Sequence, residues 1–144
     1  MRALKVLYLT YSGEIYSKKN SKRIITNART GRPLIVSNDK AKIQEVEMAW
    51  SFTAQCAQTT WKTFIKKPAE YEGREFEIEV FIFQKNKQRR DLDNQLTAIL
   101  DGLVAANIIP DDSNKFVKKL TVTQAGIDKE NPRAEIKIIE RHKL

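Results

Sequence analysis

Nine consecutive residues constrain this chain more than any others. Glu75-Phe76-Glu77-Ile78-Glu79 alternates acidic with apolar side chains, and Val80-Phe81-Ile82-Phe83 then turns fully apolar. Alternation marks a strand with one face in water, because successive side chains leave a strand on opposite sides. A continuous apolar run demands cover on both faces. The pattern predicts a strand solvated on one face at its start and buried on both by its end.

The flanking sequence supplies the partners. Residues 3–11 (ALKVLYLTY) are apolar and β-prone, and predict a strand. Met1–Leu9 has a faint likeness to a signal peptide, but it is short, is interrupted by Lys5 and lacks a small-residue cleavage site. Ser17-Lys18-Lys19-Asn20-Ser21 reads as a polar loop. Short β-prone pieces at 23–26 and 34–36 flank the turn-forming Asn27-Ala28-Arg29-Thr30-Gly31-Arg32, a hairpin with a basic tip.

From Asp39 the period becomes helical. Ile43, Val46, Trp50, Ala54, Ala57, Trp61 and Phe64 predict one amphipathic helix over 39–64, with both tryptophans as core anchors. Asn38 or Asp39 is its expected N-cap, and Lys66-Lys67-Pro68 its stop. A second helix is expected over 92–106, with Leu92, Leu96, Ile99, Leu100 and Leu103 inward and Asn107 as its C-terminal cap. Strands near 116–124 and 133–140 complete the order β-β-β-α-β-α-β-β. That order implies an α+β fold: a single mixed sheet with two main helices packed on one face. If the strands around the second helix are parallel, their crossover is right-handed. No repeat or linker divides the chain, so residues 1–144 read as a single domain.

Composition excludes several function classes. No apolar run is long enough to span a bilayer. Cys56 is the only cysteine, which excludes an intrachain disulfide, suits a reducing cytoplasm and, inside a helix, reads as a buried inert thiol. His142 is the only histidine and lies near the end, which leaves no place for histidine-led catalysis or a Cys/His zinc site.

What remains is charge, and it is segregated. The chain carries a formal +8, and residues 1–38 hold Arg2, Lys5, Lys18, Lys19, Lys22, Arg23, Arg29 and Arg32 against Glu14 alone. Residues 91–112 reverse this, with Asp91, Asp93, Asp101, Asp111 and Asp112 and no lysine or arginine. Directly before them runs Lys85-Asn86-Lys87-Gln88-Arg89-Arg90. Cations hold phosphates, and carboxylates can hold a divalent metal over one of them, so the juxtaposition points to a site that cuts nucleic acid. Asp91 and Asp93 can face one point only if at least one precedes the helix, because in a helix residues two apart diverge by about 200°. The plainer roles are an N-cap for one of the first pair and a turn after Pro110 for Asp111-Asp112. A calcium loop is excluded, since Leu96 stands where its glycine belongs and the terminal glutamate is missing. The residues alone leave two readings open: a metal-dependent nuclease, or a basic nucleic-acid-binding module whose aspartates are caps and turns.

Arg89-Arg90-Asp91-Leu92-Asp93-Asn94, then Ile99-Leu100-Asp101-Gly102-Leu103, then Ile109-Pro110-Asp111-Asp112-Ser113 with Lys115-Phe116-Val117, together resemble the RusA-type Holliday junction resolvases. These are small endodeoxyribonucleases typical of phages and prophages. Ser17–Ser21 is similar to the basic N-terminal motif of that family. The resemblance implies a RusA-like nuclease domain that acts as a homodimer on a four-way DNA junction in recombination and repair. It implies two symmetric nicks made with magnesium or manganese. It places the catalytic and metal-binding carboxylates at Asp91, Asp93 and Asp112, with Asp111 serving the turn and Asp101 in a supporting role. Lys18, Lys19, Lys22, Arg23, Lys87, Arg89 and Arg90 are then the expected phosphate contacts, and no small-molecule cofactor is expected. One departure stands out: the family commonly has a lysine one turn after Asp93, where this chain has Thr97. Lys85, Lys87, Arg89, Arg90, Lys115, Lys118 and Lys119 are the cations available to replace it. Another branched DNA, or RNA, is the alternative substrate.

Overall fold

A computed structural model of the chain describes residues 3–16, 22–37, 39–61, 63 and 73–142. The elements are β1 (Ala3–Ser12), β2 (Lys22–Thr26), β3 (Pro33–Ser37), α1 (Asp39–Cys56), β4 (Arg74–Gln84), α2 (Leu92–Ala105), β5 (Val117–Ile127) and β6 (Arg133–His142). The order is the one expected, and the architecture is α+β. The expected loop at 17–21, the cap at Asn38, the anchor Phe64 and the stop at 66–68 lie outside the described residues.

A four-stranded mixed sheet runs β1-β6-β4-β5, and β2 with β3 forms a separate two-stranded ribbon. β4 and β5 are parallel and joined through α2, while β6 is antiparallel to both β1 and β4. β4 is therefore an inner strand, as its apolar content requires. Phe76, Ile78, Val80 and Ile82 point into the core, beside Ala134, Ile136 and Ile138 of β6 and Leu7, Leu9 and Tyr11 of β1. Met48 and Phe52 of α1 and Ile99 and Leu103 of α2 cover that face.

Only one face is covered, and the expectation that β4 ends buried on both is corrected. Phe81 is 37% exposed, and Phe83 is shielded by the Arg133 guanidinium, 4.0 Å from its ring centroid, not by a second layer. An arginine over an aromatic face covers apolar surface while keeping its own charge in contact with water.

The first helix differs more. It ends at Cys56, because the Thr59 hydroxyl donates to the Cys56 carbonyl at 2.7 Å and the backbone tightens to i→i+3 bonds at Gln58 and Thr59. Trp61 is buried as expected, but from the following turn, where its indole N–H donates to the Ile108 carbonyl at 3.1 Å. The buried stripe is Ala41, Gln44, Met48, Phe52 and Cys56; Ile43, Val46 and Trp50 face outward. Gln44 and Gln55 explain part of this choice. The Gln55 amide bonds both the N–H and the carbonyl of Thr10, and the Gln44 amide does the same at Tyr16. Gln55 thus mimics the neighbouring strand that edge strand β1 lacks, and Gln44 does so for the segment that follows it. Together they turn that side of α1 toward the sheet.

α2 lies against α1 at Gly102. A Cβ there would stand 2.9 Å from both Cβ and Sδ of Met48, so glycine sets the closeness of the two helices. α2 ends as expected at Asn107, which takes the left-handed conformation (φ 58°). The Ile108 N–H bonds the Leu103 carbonyl and the Asn107 N–H the Val104 carbonyl, the paired pattern of a Schellman cap. That cap sends the chain back along the helix toward the Asp111-Asp112 turn.

Candidate active site

Asp91 occupies the N-cap position of α2 with extended backbone (φ −79°, ψ 119°), and its side chain makes no capping hydrogen bond. An aspartate there ordinarily accepts from the N–H of the first turn. Instead its carboxylate accepts from the Asn94 side-chain amide at 3.3 Å, while the Asn94 backbone N–H donates to the Asp93 carboxylate at 2.9 Å. One residue thus holds both carboxylates, which remain exposed at the positive end of the helix. The geometric condition set by the sequence is met: Asp91 precedes the helix and Asp93 lies inside it. Sequence reasoning missed Asn94 as the group that joins them, although an amide one residue from one carboxylate and three from the other was the available signal.

Thr97 follows one turn later, but its hydroxyl donates to the Asp93 carbonyl at 2.9 Å and is committed to the helix backbone.

The second pair lies at the other end of the unit. Asp111-Asp112 enters a turn in which the Ser113 carbonyl accepts from the N–H of both Phe116 and Val117, and the chain passes into β5. Although the Asp112 side chain reaches the surface, burial of its carboxyl raises its pKa above the usual carboxylate range; the negative charges of Asp111 and Asp101 and a hydrogen bond that the protonated Asp112 carboxyl donates to Asp111 add to this. The charge of Asp101, in the C-terminal half of α2, thus reaches Asp112. The rise per residue of a helix separates Asp91 from the level of Asp101 by about 15 Å. Among the described residues, no three His, Cys, Asp or Glu side chains gather where they could hold a metal ion. Asp91, Asp93 and Asp112, expected to form one metal centre, are not gathered into such a group here.

The described cations divide into five groups. Lys87 and Arg89 are exposed on the β4–α2 loop, which the Gln84 amide braces by donating to the carbonyls of Asn86 and Gln88. Arg90 is held within the chain: its guanidinium donates to the Glu14 carboxylate at 3.3 Å and to the Ile15 carbonyl at 3.4 Å. That pair ties the segment after β1 to the residue preceding Asp91, and Gln95 sits beneath it in the same narrow cleft, its Oε1 buried without a hydrogen-bond partner. Near Asp112, Lys115 lies over the Phe116 ring and the Lys118 ammonium donates to the Asn114 carbonyl at 2.7 Å. Lys22 and Arg23 are on β2, opposite Ser37 and Val36; Lys18 and Lys19 lie outside the described residues. The β2–β3 tip carries Arg29 and Arg32, exposed on a turn fixed by Asn27 and Thr30, and the expected phosphate contacts did not include them.

The arrangement sets the exposed cations Lys87 and Arg89 on the loop that leads directly into an exposed, pre-positioned carboxylate pair. No curated protein matches the chain. The family model described as endodeoxyribonuclease RusA matches residues 13–139, which begins just after β1 and takes in the basic segments from Lys18 on, both aspartate pairs and most of β6. The chain belongs to the RusA endodeoxyribonuclease family.

Proposed function

We propose that this protein is a magnesium-dependent endodeoxyribonuclease that resolves four-way DNA junctions by paired symmetric nicks, acting as a homodimer in recombination and repair. The observation that carries this reading is the exposed Asp91–Asn94–Asp93 unit, set directly behind the cationic loop that ends in Arg89. Lys87, Arg89, Arg29 and Arg32 bind phosphates without reading sequence, and Lys18, Lys19, Lys22 and Arg23 belong to the same footprint. Arg90 acts mainly by fixing Asp91 relative to the segment at 13–16. Magnesium, with manganese as a substitute, is the cofactor, and when bound it would lower the pKa of a water and stabilise the leaving oxygen. What one chain lacks is a further carboxylate beside Asp91 and Asp93. A two-fold dimer also gives two identical sites to a substrate of matching symmetry.

The divided carboxylates favour one competing reading, a non-catalytic module that binds branched nucleic acid. Incubating the protein with a synthetic four-way junction, with and without magnesium, decides between them when the nicks are mapped. The Asp93→Asn variant should lose cleavage and keep junction binding, because removing a carboxylate lessens repulsion of phosphate. Nicking at an unchanged rate in that variant would remove Asp93 from the chemistry, and binding without magnesium-dependent nicking in the wild type would establish the module.

A further inference from the structure

α2 buries an amide where leucines were at hand. Leu92 and Leu96 stay half-buried, whereas Gln95 between them is 3% exposed, and its Oε1 is enclosed without a hydrogen-bond donor. An acceptor withdrawn from water with no donor lowers stability, so an apolar side chain of the same length would make the firmer helix. A polar group kept against stability beside a reactive group points to a role in the reaction. Gln95 lines a cleft with Ile15, Ile82 and Phe83, and the charged members of that cleft are Glu14, Arg90 and Arg133. Arg133 is taken up by Asp128 and Glu135, at 2.8 and 3.0 Å. Arg90 is held loosely: the Glu14 carboxylate at 3.3 Å, the Ile15 carbonyl at 3.4 Å and Gln88 Oε1 at 3.4 Å all lie beyond the usual range. A guanidinium has more N–H donors than these three contacts use, and the spare ones share a cleft with an acceptor that has none.

Asp91 is tied to this cleft through its neighbours. Its side chain makes no capping bond, its carbonyl accepts from the Gln95 N–H at 3.2 Å, and the residue before it is Arg90. We infer that Gln95 is a positioning residue for Asp91. Its side-chain oxygen and the Glu14 carboxylate together seat the Arg90 guanidinium, and the seated arginine fixes the carboxylate that follows. That Asp91 reacts rests on the nuclease reading above; that Gln95 holds it in place does not. Gln95 meets no phosphate in this role, so it acts on the rate of the step and not on the grip of DNA.

The test uses the full chain and two substitutions of Gln95. Gln95→Met keeps the length and removes the acceptor, whereas Gln95→Glu keeps an acceptor and adds a charge that Arg90 can meet. Gln95→Met should melt about 2 °C or more above the wild type, yet its kcat for junction cleavage should fall by about tenfold or more at unchanged KM. Gln95→Glu should recover most of that loss, which a purely structural role does not predict. Glu14→Ala should also slow cleavage, and combining it with Gln95→Met should slow it little further, because both act through one guanidinium. Hydrogen exchange at the backbone amides of residues 91–95 reads the positioning without DNA or metal. It should quicken in Gln95→Met by about tenfold although the fold is more stable. If Gln95→Met is less stable than the wild type, or does not fold, the amide is a structural contact and the inference is overturned. A wild-type kcat in Gln95→Met overturns it as well. If the wild type cuts no junction with magnesium or manganese, the nuclease reading falls and exchange decides alone: quickened, it upholds the hold on Asp91, and unchanged, it overturns it.

Discussion

Gly102 sets the distance between the helix that carries the aspartates and the helix that covers the edge of β1, so filling it should move the site as well as cost stability. In Gly102→Ala the new Cβ meets Met48 Cβ and Sδ at 2.9 Å and Phe52 Cε2 at 3.3 Å. Comfortable carbon contacts lie at about 3.5–4.0 Å, so the overlap is roughly 0.6 Å or more. The sulfur can swing aside, but Met48 Cβ is fixed to the α1 backbone, and the helices must part. Overpacking of this kind costs about 1–3 kcal/mol, and alanine recovers about 1 kcal/mol through its better helix propensity. The net loss is about 1 kcal/mol, or a fall in Tm of about 2–4 °C for a domain of this size. Gly102→Val adds bulk without the propensity gain and should lose about 3 kcal/mol. Urea denaturation gives the stabilities, and junction cleavage at saturating DNA reads the site, which should slow in both variants as α2 shifts Asp91 and Asp93. If alanine and valine both leave stability at or above the wild type, the helices do not cross as closely as described, and the coupling of packing to site is wrong.

Three further outcomes can be checked. Glu140 is fully buried and paired with Arg74, itself largely buried, so Arg74→Ala should cost about 3 kcal/mol or more in denaturant titration, because it strips a buried carboxylate of its guanidinium. The raised pKa of Asp112 means that the folded chain holds this proton more tightly than the unfolded one, so its stabilising effect is present at low pH and lost as pH rises through the raised value. Asp112→Asn should therefore stabilise the fold at neutral pH, and the gain should vanish below the usual carboxylate range; a gain independent of pH would assign the effect to something other than charge. Thr97→Lys should speed junction cleavage with little change in affinity at fixed salt, since the threonine hydroxyl is committed to the Asp93 carbonyl and supplies no charge.

Element order was legible because each element carries its own period. β4 alternates on the face that meets water and α2 presents one stripe, so a local pattern suffices for both. α1 defeated that reasoning for a physical reason. It has apolar residues on two opposite faces, and periodicity alone cannot say which one a sheet will cover. The deciding contacts are those of Gln44 and Gln55 with backbone 28 and 45 residues earlier in the chain, which no local pattern contains. The turn that buries Trp61 was missed in the same way, since the threonine hydroxyl that ends the helix is invisible to a count of apolar spacing.

The site shows the same division between local and distant. The placing of Asp91 before α2 and Asp93 inside it is set within four residues and was legible from the strand-to-helix junction, whereas Asn94, which joins them, was missed. Arg90 looked like one more phosphate contact in a basic run, but its partner Glu14 lies 76 residues away, and the ion pair turns a surface cation into a brace. The separation of Asp112 from the first pair follows from the length of α2, since a helix holds its two ends apart as firmly as it fixes neighbours. The Schellman cap at Asn107 returns the chain along α2 only as far as Asp101, whose charge Asp112 feels. A carboxylate set that the sequence places within 22 residues is therefore kept apart by the same helix that orders its first pair.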